Sequence, residues 1–97
     1  MTKLTDGELR LFLDDRDGWK HLGNAIHKEF RFPGFTGAIA FVNVVAELAE
    51  AAGHHPDIEI HYNRVVISLS THDEGGVTEK DVELAADIDA ATDTAGG

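Results

Sequence analysis

The sequence predicts an α+β domain: a four-stranded antiparallel sheet with three helices on one face, in the order α-β-β-α-β-β-α. Three observations carry this reading. Residues 35–52 are almost wholly apolar, and their few polar side chains recur at helical spacing. Two later stretches alternate apolar and polar residues around a short turn at Asn63-Arg64, which reads as a hairpin. The chain has 97 residues, so a single domain over 1–97 is expected.

The elements follow in order. Thr5-Asp6-Gly7-Glu8 has the spacing of a capping box, and Leu9, Leu11, Phe12 and Leu13 continue a short helix that ends near Asp15-Arg16-Asp17-Gly18. Between Trp19 and Phe32 the pattern is looser. Gly23-Asn24 can turn two strands into a hairpin, with Ile26, Phe30 and Phe32 on one face and His27, Glu29 and Arg31 on the other. Lys28 interrupts the apolar face. After Pro33-Gly34, the helix Phe35–Ala52 carries Thr36, Asn43, Glu47 and Glu50 on one narrow stripe. A helix apolar over most of its circumference is expected to be buried on more than one side.

Gly53 suits the left-handed residue that closes a helix, and Pro56 pushes His55 toward extended backbone. Ile58, Ile60 and Tyr62 then alternate with Glu59 and His61, and Tyr62 reads as a core residue at the strand's end. Val65, Ile67, Leu69 and Thr71 form the returning strand, with His72 at its tip. Residues 73–77 make a Gly-rich loop. Thr78-Glu79-Lys80-Asp81 resembles another cap, and residues 82–91 a last helix with Leu84, Ile88 and Ala91 on one side. The tail 92–97 is expected to fray.

Composition excludes several functions. With 8 Lys+Arg against 18 Asp+Glu, the formal net charge is -10. Such a surface repels phosphate backbones and anionic lipid, so neither nucleic acid nor membrane is an expected partner. No stretch approaches the ~20 apolar residues of a membrane span, and residues 1–15 lack the apolar run of a signal peptide. The expected location is cytoplasmic. There is no cysteine, which removes thiolate nucleophiles, disulfides and Cys-based zinc sites. The G-x-S-x-G, Walker A and G-x-G-x-x-G patterns are absent. A domain this small buries a modest fraction of its surface, so self-association would add stability.

The remaining chemistry lies in histidine. Four of the six histidines fall between positions 54 and 72. Imidazole both donates and accepts protons near neutral pH. His54 and His55 follow a helix C-terminus and precede a rigid proline, and a hairpin would return His72 toward them. Each residue also has a plainer reading: His54-His55 as a surface loop, His72 as a solvated strand end, Glu50 as part of a polar stripe, Asp81 as a cap. Adjacent histidines converge poorly on one ion and H-E-x-x-H is absent, so no metal is expected.

Together these positions resemble a family signature. Glu50-x-x-x-His54-His55-Pro56, Tyr62 after five further residues, His72 after nine and Asp81 after eight are similar to the pattern of the pterin-4a-carbinolamine dehydratases. The flanks Tyr62-Asn63-Arg64-Val65, Leu69-Ser70-Thr71-His72-Asp73 and Thr78-Glu79-Lys80-Asp81-Val82 agree, as do Trp19 and Phe30-Arg31-Phe32. The resemblance implies a hydro-lyase that expels water from a 4a-hydroxytetrahydropterin supplied by a pterin-dependent hydroxylase pathway, with no cofactor. It implies that His54 and His72 transfer protons and His55 positions the pterin. Pro56 would hold the pair, Glu50 and Asp81 would orient imidazoles or cap, Tyr62 is a further motif position, and Trp19 would stack on the substrate. It also implies a homo-oligomer, a dimer or tetramer joined through sheets and a helix bundle. Ile58 departs from the aromatic residue common in the family, a difference that bears on substrate preference more than on reaction type. The alternative is a non-catalytic dimerisation or assembly partner of another protein; relatives of this fold serve in that way, and the apolar helix and open sheet would suit it.

Overall fold

The computed structural model describes residues 2–94 of the chain. Residues 95–97 of the tail expected to fray lie outside the described residues, whereas residues 92–94 continue the last helix. The elements are α1 (Asp6–Asp15), β1 (Lys20–Leu22), β2 (Ala25–Arg31), α2 (Phe35–Ala52), β3 (Asp57–His61), β4 (Arg64–Leu69) and α3 (Glu79–Thr94), with a single 3-10 turn at His72–Glu74. The order is the expected one.

The four strands form one antiparallel sheet in the order β1-β2-β4-β3. Pairing Phe30 with Val65 and Ile26 with Leu69 puts the apolar residues of both central strands on one face. Ile26, Phe30, Val65, Ile67 and Leu69 are all buried there. Lys28, opposite Ile67, lies on this covered face too. Its ammonium sits 4.8 Å from the Phe30 ring centroid and 2.8 Å from Asp89 Oδ1 of α3, which reconciles a charge with the core. The strand period explains the rest: His27, Glu29, Val66 and Ser68 fall on the opposite face and are not buried.

Helix α1 starts at the capping box, where Thr5 and Glu8 satisfy each other's backbone donors. Helix α2 buries a single stripe, Ala38, Phe41, Val45 and Ala49. The expectation of burial on several sides is therefore corrected for the single chain: Phe35, Ala40 and Ala46 remain exposed and Ile39, Val42, Val44 and Leu48 half-buried. By length and apolar composition α2 could cross a membrane, a correction to the expectation that no stretch comes near that size. Its central stripe serves instead as a core helix, and Phe41 stacks against Phe30 and Phe32.

Two further corrections concern the second hairpin. Tyr62 is not a core residue. It occupies the β3–β4 turn with φ +55° and is 67% exposed. Asn63, beside it, anchors the turn by donating from Nδ2 to the Phe32 carbonyl at 2.9 Å. The returning strand also ends at Leu69, two residues short of Thr71, which forms only an isolated bridge with Gly76.

Candidate functional site: an imidazole held by a capping carboxylate

The end of α2 aims His54. Gly53 takes the left-handed conformation, φ 62°. Its N–H donates to the Glu50 carbonyl at 3.2 Å, and the His54 N–H donates to the Ala49 carbonyl at 3.1 Å. Those two bonds make a Schellman closure. A Cβ on Gly53 would meet nothing within 4 Å, so the backbone angle alone calls for glycine.

The register of the second hairpin then brings the histidine segments together. Asp57 pairs with Ser68. His54 and Thr71 both hydrogen-bond to Asp81, so the chain on either side of the hairpin reaches one carboxylate, and His72 follows directly on Thr71.

Asp81 completes the arrangement from a third element. It is fully buried, at 0% exposure, in the first turn of α3. Its Oδ1 is hydrogen-bonded to His54 Nε2. Its Oδ2 accepts the Thr78 backbone N–H at 2.9 Å, the cap expected from sequence, and also the Thr71 hydroxyl at 2.9 Å. Capping and histidine contact are thus not alternatives; they use different oxygens. A carboxylate only accepts. His54 therefore donates from Nε2, and its neutral form keeps Nδ1 as the lone-pair nitrogen, with no partner among the described residues.

The other predicted residues divide. His55 Nε2 lies 2.7 Å from Glu50 Oε1, and both side chains are exposed, 66% and 77%. Glu50 thus orients His55 at the surface. Pro56 is half-buried beside them, and His72 is exposed in the 3-10 turn. Tyr62 sits in the turn beyond the far end of β3, about 20 Å along the strand from Pro56 at ~3.3 Å per residue, and does not join the histidines. Trp19 is corrected as well. It is 4% exposed, packs on Phe12 and Phe30, and donates from Nε1 to Asp89 Oδ2 at 3.0 Å. A ring buried in this way is unavailable for stacking on a substrate. Sequence reasoning misses Thr71 and Thr78 as site residues. The signal for them is the Thr78-x-x-Asp81 spacing, which fixes one carboxylate oxygen and leaves the other free. Among the described residues no three His, Asp or Glu side chains gather as a metal site would need.

A family model described as pterin 4 alpha carbinolamine dehydratase matches residues 2–91. The chain belongs to that family. Among curated relatives of this dehydratase family, the proteins of Roseiflexus sp. (strain RS-1) and Chloroflexus aurantiacus (strain J-10-fl) are 56% and 55% identical. They cover 91% and 92% of this chain and 95% and 96% of their own lengths. Each is named "Putative pterin-4-alpha-carbinolamine dehydratase". A crystal structure of a transcriptional coactivator/pterin dehydratase from Brucella melitensis superimposes with a TM-score of 0.88 at 38% identity, over 92% of this chain and 97% of that one. A pterin dehydratase-like protein described as a RuBisCO assembly factor in the alpha-carboxysome matches with a TM-score of 0.62 at 27% identity, over 74% of this chain and 83% of that one. The pterin dehydratase family thus accounts for the fold.

Proposed function

We propose that this chain is a cytosolic hydro-lyase that converts a 4a-hydroxytetrahydropterin into quinonoid dihydropterin and water. The observation that carries the reading is the bond between His54 Nε2 and buried Asp81, which gives one imidazole a fixed orientation and a free Nδ1. The reaction breaks the C4a–O bond and removes the N5 proton. Hydroxide leaves poorly, so an acid delivers a proton to the departing oxygen while a base takes the proton from N5. His54 and His72 take these two roles, and His55, held by Glu50, positions the pterin. General acid–base catalysis of this kind contributes about 10²–10⁴-fold. A pterin-dependent hydroxylase would supply the substrate.

The test generates the 4a-hydroxytetrahydropterin in solution and follows its ultraviolet decay. Wild type accelerates the decay, and His54→Ala and His72→Ala, both folded, lose most of that acceleration. A folded wild type that leaves the decay unchanged overturns the reading.

A second reading rests on α2. Its exposed Phe35, Ala40 and Ala46 and the half-buried residues around them leave an apolar surface uncovered in the single chain. That surface suits a homodimer or homotetramer, and also the coactivator and assembly roles that the structural relatives are named for. Light scattering of the purified chain, and a pull-down whose partner is retained by the His54→Ala variant, separate self-association from a second protein role.

A further inference from the structure

Proton counting around Asp81 gives direction to a chain of bonds. The Thr71 hydroxyl lies 2.9 Å from Asp81 Oδ2 and 2.8 Å from the Thr78 hydroxyl. Each hydroxyl owns one hydrogen, and a carboxylate has none to give. Thr71 therefore donates to Asp81, so Thr78 donates to Thr71. Thr78 in turn accepts the Lys80 backbone N–H at 3.3 Å. The donors run one way, from Lys80 through Thr78 and Thr71 into Oδ2. Together with the Thr78 N–H they occupy that oxygen and leave Oδ1 to the imidazole of His54.

The backbone of Thr71 is itself held. Its N–H donates to the Gly76 carbonyl at 2.9 Å, and its carbonyl accepts from Glu74 at 3.0 Å and Gly76 at 3.4 Å. His72 is the next residue. One hydroxyl therefore ties the peptide that carries His72 to the carboxylate that holds His54.

We infer that Thr71 is a positioning residue: its hydroxyl fixes the rotation of the Asp81 carboxylate, and through it the tautomer of His54 and the placement of His54 relative to His72. The role of Thr71 in turnover rests on the dehydratase reading; its effect on the His54 ring does not. The sequence pattern assigns Thr71 no task beyond its place in the strand.

The experiment compares Thr71→Val, which removes the hydroxyl, with Thr71→Ser, which keeps it. Two readouts are taken: turnover of the 4a-hydroxytetrahydropterin, and the ring nitrogens of His54 in ¹⁵N-labelled protein, assigned by their disappearance in His54→Ala. Wild type shows the Nε2–H tautomer. In Thr71→Val the ring signals move toward a mixture of tautomers, and kcat falls about tenfold with KM little changed, as expected when a proton-transfer group is misplaced while substrate binding stays intact. Thr71→Ser restores both. An unchanged spectrum and kcat in Thr71→Val overturns the inference, and so does a Thr71→Ser that fails to restore them. If Thr71→Val does not fold, Thr71→Ala carries the same comparison. A wild type without dehydratase activity ends the functional reading alone; the ring spectra then decide whether Thr71 sets the tautomer.

Discussion

Asp81 holds His54 with one carboxylate oxygen and closes the first turn of its own helix, through Thr78, with the other. The side chain is fully buried, so both partners depend on a group with no access to water. Replacing it removes a cap and strands an imidazole at once. Caps are worth about 0.5–2 kcal/mol and hydrogen bonds to a charged group about 1.5–3 kcal/mol.

Asp81→Ala is expected to lower unfolding stability by about 3 kcal/mol, a large part of what a small domain has. Urea unfolding checks this. Turnover measured well below the unfolding midpoint should fall with it, because His54 loses its orienting partner.

Gly53→Ala is expected to cost about 1–2 kcal/mol, the penalty of a left-handed residue bearing a Cβ. The cost is conformational, since the space around Gly53 is open. Thermal unfolding measures it. Gly53→Asn, which tolerates that region better, should recover part of the loss.

Glu50→Ala should leave stability nearly unchanged. The Glu50–His55 pair is exposed on both sides, and pairs of that kind contribute about 0–1 kcal/mol. Any effect should appear in KM, through His55, with kcat little altered. A comparable drop in kcat would move His55 from positioning to proton transfer.

The capping box of α1 predicts a pH effect. The backbone and side-chain hydrogen bonds from Thr5 hold the Glu8 carboxyl below its ordinary value of 4.5. A carboxylate with a lowered folded-state pKa adds stability that is fully present above the unfolded value and is lost as pH falls through the folded one. The first turn of α1 should therefore loosen below pH 4.5. Amide exchange at residues 5–9 in wild type and Glu8→Gln tests this; the variant should show no such step.

Asp89→Ala should destabilise the domain by about 2 kcal/mol. It leaves the Trp19 indole N–H and the Lys28 ammonium without the acceptor they share near the core. Trp19 is the only tryptophan, so its fluorescence follows the transition directly.

Much of this arrangement is legible in the sequence, for identifiable reasons. The bounds of α2 follow from an apolar run punctuated by Pro33-Gly34 and Gly53, and the hairpin register from strict alternation through Ile67 and Leu69. The histidine positions stand out because the resemblance fixes their spacing. Trp19 cannot be placed that way, because its decisive partner, Asp89, lies 70 residues away on α3. Tyr62 reads as core because alternation extends naturally one residue too far; only the turn's backbone angle takes it out of the strand. Thr71 looks in sequence like any β-branched strand residue, and its hydroxyl acquires meaning only once Asp81 is folded beside it.

The Schellman closure after α2 and the cap of α3 meet in one imidazole. Local opening of either helix end would therefore release the His54 ring while the sheet stays paired. On the proposed dehydratase function, denaturant or heat should then silence activity ahead of global unfolding.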